Sequence, residues 1–219
     1  MEDSIKKLFK ITSSQIPNSI PLFPLDNVLL LPFGKLPLNI FEERYIKMTL
    51  DALRKHRMIG VIQPKNNNNE LFQIGCIGKI TSYIETPDYR IVLNLEGVCR
   101  FIVHESNLSP AGYLQANIDF QDYVEDLNEM EPSIDRTALI QKYSNFFKMK
   151  KLDIDKQVLA ETSNLQLLST LAMLAPFNKI DKQAILESPN IMQRIETINS
   201  ILDLNTFQVV PNNKGNQLN

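Results

Sequence analysis

A chain of 219 residues, 43% of them hydrophobic and 22% charged, has enough apolar material for one large packed domain or two small ones. A net charge of −2 gives no overall field favouring nucleic acid or acidic membranes, and two cysteines exclude a disulfide-built secreted scaffold. The N-terminal stretch "MEDSIKKLFKITSSQIPNSIPLF" lacks the apolar core of a signal peptide, and the longest apolar run, Val28 to Phe33, is far too short to span a bilayer. The expectation is a cytoplasmic protein with no membrane partner.

Residues 1–19 are polar, are broken by Pro17, and read as a flexible lead-in. Residues 20–125 read mainly as strands. "IPLFPLDNVLLLPFGKLPLNIF" is a series of short apolar runs cut by prolines, which suits edge strands and corners. A helix is expected from Glu43 to about Lys55, with Tyr45, Met48 and Ala52 on one side and Ile46, Leu50 and Leu53 beside them. Glu42 and Glu43 fall where the helix dipole favours acids. "MIGVIQP" reads as a buried strand stopped by Pro64, and "KNNNNE" as a polar loop.

Residues 71–104 carry the clearest pairing signal. Ile74, Cys76, Ile80 and Ile84 alternate with Gln73, Lys79, Thr81 and Glu85. Beyond Pro87-Asp88, which supplies a turn, Ile91, Leu93, Leu95, Cys99, Phe101 and Val103 share one parity. A hairpin centred there pairs Ile84 with Ile91, Ile80 with Leu95, Gly78 with Gly97, Cys76 with Cys99 and Ile74 with Phe101, because a one-residue slip would turn one strand inside out. The Gly78–Gly97 spot leaves room for a bend or another backbone. Cys76 and Cys99 would then be adjacent, either as a redox pair or as two small core residues. A further strand is expected over Tyr113–Tyr123.

"NEMEPS", within residues 126–133, reads as a linker, and the carboxylates of "DYVEDLNEMEPSID" as solvated. From 134 to 204 the period is helical. Asp135 to Lys150 places Leu139, Tyr143, Phe146 and Phe147 inward; Ser163 with Gln166, Asn178 with Asp181, and Asn190 with Gln193 mark three helix starts, and Pro176 ends one helix. Residues 205–219 read as a disordered tail.

No nucleophile motif, phosphate-cradling glycine loop or zinc spacing occurs. His56 and His104 read as solvated. The expectation is a protein without catalytic residues, metal or cofactor.

"IPLFPLDNVLLLPFGKLPLNIFEERYIKM", "GVIQP", "IGCIGKI" and "LNLEGVCRFIV", in this order, resemble the Lon protease N-terminal, substrate-binding domain family, and "LAMLAPFNKIDKQAILES" resembles the second half of its stand-alone bacterial members. The resemblance implies an α+β protein: a PUA-like twisted β-barrel with one inserted helix, followed by a C-terminal helical bundle. It implies a stand-alone form without the ATPase and peptidase domains, which binds unfolded or specific client polypeptides and serves a protease or chaperone in protein quality control. RNA binding, for which nucleic-acid-binding PUA-like barrels are the model, is the alternative; Lys6, Lys7 and Lys10 form one small basic cluster, and Lys148, Lys150 and Lys151 another. Phe41, Glu42, Arg44, Tyr45, Gly97, Arg100 and Phe101 match the family's structural motif positions. Phe41 and Tyr45 are expected to anchor the helix, and Glu42 to pair with Arg100. Asn39, Glu43 and Tyr89 depart from the family's usual histidine, proline and glycine. Phe33 and Leu36, around Gly34 in "LLPFGKLP", either pack into the barrel or form an exposed apolar patch that binds a partner polypeptide.

Overall fold

The computed structural model of the protein describes residues 10–65, 70–128, 130–152 and 162–207. The expected lead-in lies partly, and the expected tail mostly, outside the described residues, as do residues 66–69 of the asparagine loop and Lys6 and Lys7. The strands are β1 (Ser19–Pro24), β2 (Lys35–Ile40), β3 (Met58–Ile62), β4 (Ile74–Glu85), β5 (Ile91–Leu108) and β6 (Leu114–Asp119). They form one six-stranded sheet in the order β2-β5-β4-β3-β1-β6. The long β5 binds β4 through residues 91–102, while its other edge takes β2 over 91–96 and β6 over 102–108. Both outer strands therefore return to the same central strand, and the sheet curls round on itself.

Helix α1 (Glu43–Leu53) follows β2 directly and buries Tyr45, Met48, Thr49 and Ala52, as the periodicity requires. A 3-10 segment, Gln121–Leu127, occupies the second half of the strand expected over Tyr113–Tyr123, and β6 stops at Asp119. Helices α2 (Arg136–Met149), α3 (Asn164–Leu174), α4 (Lys179–Glu187) and α5 (Ile191–Phe207) complete the α+β architecture. Their starts are fixed by side-chain oxygens that accept an otherwise orphaned N–H: Asp135 from Ala138 (2.9 Å), Ser163 from Gln166 (3.2 Å), Asn178 from Asp181 (2.9 Å) and Asn190 from Gln193 (3.0 Å).

Two apolar clusters result. The smaller draws on Ile20, Leu22, Met58, Ile77, Cys99, Phe101, Ala116 and Ile118. The larger joins the sheet residues Cys76, Ile80 and Leu95, and the loop residues Leu30 and Leu31, to Tyr143, Phe146, Leu171 and Ile198 of the helices and Phe177 between two of them. Helices and sheet thus share one continuous core. Polar ties reinforce it: Gln63 Nε2 donates to Gln183 Oε1 (2.9 Å), and Gln183 Nε2 to Ile74 O (3.2 Å).

The β4–β5 register corrects the parity argument. Gly78 does face Gly97, and Ile80 faces Leu95. Elsewhere the pairing is one residue off: Ile84 faces Val92, Ile74 faces Ile102 and Phe101 faces Gly75. Two β-bulges are the cause. Val98 is the extra residue on β5, between the Ile77–Cys99 and Gly78–Gly97 pairs, and Thr81 is the extra residue on β4, between Ile80–Leu95 and Ser82–Asn94. Each bulge moves the following residues to the other face. Cys76 is consequently paired with Arg100 and lies in the larger cluster, while Cys99 lies in the smaller one. Neither forms a disulfide and each is buried in a different cluster, so the two cysteines are core residues and not a cross-strand redox pair. Burial pushes the Cys76 thiol well above its ordinary pKa, which keeps it protonated and unreactive.

Candidate functional site

The run Leu29-Leu30-Leu31 is buried between sheet and helices, and the chain then crosses β5 at Gly97. Phe33 N donates to Gly97 O (2.9 Å), Gly97 N to Gly34 O (2.8 Å), and Gly34 N to Leu31 O (3.0 Å). A Cβ on Gly97 would stand 1.9 Å from Leu31 O, so only glycine permits this approach. From the helical side, Ser169 Oγ donates to Pro32 O (2.7 Å), and Met173 covers Gly34, where a Cβ would meet Sδ at 2.2 Å. The loop is clamped between β5 and α3. Within it Phe33 adopts a left-handed backbone, φ 65°, a conformation that costs an L-residue about 1–2 kcal/mol. The clamp leaves Phe33 partly buried.

That ring lines a cavity of about 490 Å³. Its apolar lining is Phe33, Ile80, Val98, Leu127 and Ile11, so both core clusters reach the surface here. The bulged residues Thr81 and Val98 both lie in its wall, as does Gly97. Bulges re-aim side chains, and they set the Thr81 and Val98 positions. Lys10, Arg57, Lys79, Glu96 and the buried Asp126 supply the charged lining. Arg57 has a left-handed backbone as well, φ 57°, where the chain leaves α1: Arg57 N donates to Ala52 O (2.8 Å) and its carbonyl accepts from Ile80 N (2.7 Å). Two of the five non-glycine residues with positive φ among the described residues therefore line one cavity. Left-handed bulky residues gather where the surrounding structure imposes them, a pattern common at binding sites.

Leu36 is not in the cavity. It pairs with Leu95 on β2 and packs partly buried against the larger cluster. Phe41 corrects the expectation of an anchor: its side chain is 64% exposed, with the Arg90 guanidinium 5.8 Å from the ring. The helix is anchored instead by Tyr45, which is buried 4.4 Å from the Phe23 ring and carries the Arg44 guanidinium 4.5 Å above it. With Ile84, Val92, Tyr83 and Tyr89, Phe41 belongs to a second set of exposed apolar side chains around the far end of the hairpin.

Glu42 does not reach Arg100. It stands exposed at the start of α1 and pairs with Arg44 (2.8 Å). Arg100 is buried and meets Asp126: Nε to Oδ2 and Nη2 to Oδ1 are both 2.8 Å, and the Arg100 backbone N donates to Oδ2 (2.9 Å). The remaining guanidinium N–H groups reach the carbonyls of Leu186 and Ser188 at the end of α4, Tyr123 stacks 4.3 Å away, and Arg194 Nη2 lies 3.8 Å from Asp126 Oδ1. Asp126, read from the sequence as solvated, is 1% exposed. It stands in a run of acidic residues, and nothing in the sequence singles it out as the one that turns inward.

The cavity presents apolar contact and cationic donors. Among the described residues no group of three or more His, Cys, Asp and Glu could hold a metal ion. His104 stands exposed, 3.7 Å from the exposed Asp119. No helix among the described residues is long and apolar enough to cross a membrane.

Comparison with known proteins follows the same line. Residues 19–203 match the model of the ATP-dependent protease La (LON) substrate-binding domain. The Lon protease of Buchnera aphidicola subsp. Baizongia pistaciae is 27% identical over 194 residues, covering 84% of this chain and 24% of that protein. The Lon protease of Endomicrobium trichonymphae is 26% identical over 197 residues, covering 86% of this chain and 25% of that protein. The chain therefore spans about a quarter of the length of these relatives. The crystal structure of a Lon N-terminal domain protein from Xanthomonas campestris shares the fold, with a TM-score of 0.59 at 22% identity, covering 84% of this chain and 98% of that one. The N-terminal domain of Mycobacterium avium complex Lon protease superposes with a TM-score of 0.56 at 15% identity, covering 86% of this chain and 98% of that one. With the family model matched over most of its length, the chain belongs to the LON substrate-binding domain family.

Proposed function

We propose that this protein is a non-enzymatic polypeptide-binding module, an adaptor that holds unfolded or specific client polypeptides for a protease or chaperone in the cytoplasm. In this reading the curled sheet is a PUA-like barrel spanning residues 20–125, and residues 134–204 are its helical bundle. Phe33 is the binding anchor and Leu36, in the strand that follows its loop, supports it. The observation that carries the reading is the partly buried Phe33, held in the wall of a cavity by a left-handed backbone that only external clamping sustains. A concavity with an apolar lining and charged side chains beside it can take a peptide side chain, and family membership supplies substrate recognition as the purpose. The RNA-binding alternative has no comparable support, since the matched domain is a substrate-binding one.

The test is fluorescence anisotropy with a labelled, permanently unfolded polypeptide. Phe33→Ser should weaken binding about tenfold at nearly unchanged melting temperature, the loss of one anchoring ring. Phe41→Ser, at the far exposed set, should leave binding unchanged. Full binding by the Phe33 variant, or a loss confined to the Phe41 variant, would reject Phe33 as the anchor. No binding by the unaltered protein would reject the function.

A further inference from the structure

The Phe33 cavity is not electrically neutral. Lys10, Arg57 and Lys79 stand in its lining against one partly exposed carboxylate, Glu96, which is paired with Lys79 across the β4–β5 ladder. Asp126 also lines the wall, but the Arg100 guanidinium takes both of its carboxylate oxygens, and its burial keeps it from offering charge to a ligand. Lys10 is held in place by donating to Asn128 Oδ1 (2.8 Å), which leaves its other ammonium hydrogens available. The chain as a whole carries a net charge of −2, so this positive rim runs against the molecule's overall balance. The charges also ring an apolar floor, where a bound carboxylate would be partly shielded from water and more strongly attracted than on an open face.

We infer that the Phe33 cavity selects peptide segments in which an apolar side chain is flanked by aspartate or glutamate. The apolar side chain rests on Phe33, Ile80, Val98 and Leu127, and the neighbouring carboxylates meet Lys10, Arg57 and Lys79. Segments bearing lysine or arginine beside the same apolar residue are turned away by like charge. The inference rests on the polypeptide-binding reading and adds to it the chemistry of the preferred segment.

Two labelled hexapeptides with the same central Leu-Phe, one flanked by Asp-Glu on each side and the other by Lys-Lys, separate the possibilities when titrated with the full 219-residue chain. The acidic peptide should bind about tenfold tighter than the basic one at low salt, with the gap narrowing as salt rises. The double variant Lys10→Glu with Arg57→Glu, both exposed positions, should abolish or reverse the preference. Should the double variant unfold, Lys10→Glu alone makes the same comparison with a smaller shift. Equal binding of the two peptides, or a preference that the charge reversals do not change, overturns the inference and leaves the polypeptide-binding reading standing. Failure of both peptides, together with failure of the unfolded polypeptide, overturns both.

Discussion

The two ends of the β4–β5 ladder are built from the same pair of strands and have opposite surroundings. From Ile74–Ile102 to Ile80–Leu95 the ladder is covered by the Leu31–Gly34 loop, the 3-10 segment and the helices, and it contains a buried arginine, a glycine that admits another backbone, and two core cysteines. From Ser82–Asn94 to the turn every β4 residue is exposed, including Tyr83 and Ile84, and Val92 on β5 is exposed as well. At the covered end a side chain is constrained by what lies over it. At the open end the β4 side chains and Val92 have no such cover, while Ile91 and Leu93 of β5 still face the larger core. Substitutions should therefore cost most where the cover is tightest, and the sharpest contrast is between the two ion pairs, Arg100–Asp126 and Glu42–Arg44.

Asp126→Ala is expected to have the largest effect. It leaves the Arg100 guanidinium buried without its carboxylate, which costs about 3–5 kcal/mol, and it loosens the contact of the sheet with the end of α4. Urea denaturation measures this directly. Glu42→Ala breaks a pair of the same 2.8 Å length at the exposed start of α1 and should cost less than about 1 kcal/mol. Similar losses from both substitutions would mean that burial does not distinguish the two pairs.

Gly97→Ala comes next. Its Cβ would stand 1.9 Å from Leu31 O, a backbone atom fixed on its far side by α3, so the loop must lift from the strand at a cost of about 1–3 kcal/mol or more. The same movement displaces Phe33, so the variant should lose polypeptide binding along with stability. A fully stable Gly97→Ala protein would mean that the loop does not depend on this close approach.

The helical half was the more legible in the sequence, and the reason is local. Each helix start carries its own cap within three residues, and each inward face repeats along a single element, so no long-range information is needed. In the sheet, parity located the hairpin and the facing glycines, and the room left at Gly97 is filled by the Leu31–Pro32 backbone. Parity failed where Val98 and Thr81 bulge, because a bulge is set by what the strand must pass around and not by the strand's own alternation. The Arg100 partner was illegible for a related reason: Glu42 and Asp126 are both acidic neighbours of apolar residues, and only the fold brings one of them to Arg100. Phe33 could be singled out as a proline-flanked apolar loop residue, but the lining around it comes from five separate segments and could not.

The smallest expected effect lies at the open tip and tests whether that end is free of packing constraint. Tyr89 N donates to Thr86 O (3.0 Å) and Thr86 N to Arg90 O (2.9 Å), closing a turn that requires a left-handed residue at position 89. Tyr89 takes that conformation, φ 63°, with its ring 90% exposed. The left-handed backbone costs about 1–2 kcal/mol that no buried contact of the ring offsets. Tyr89→Gly removes this cost but adds freedom to the unfolded chain, worth about 0.4–1 kcal/mol in the opposite direction. The balance is a gain of less than about 1 kcal/mol, visible as a small rise in the urea midpoint. Tyr89→Ala keeps the strain and should stay near the parent. If glycine lowered the midpoint instead, the exposed ring would have to be packing against the hairpin, and the open end of the ladder would be more constrained than its exposure implies.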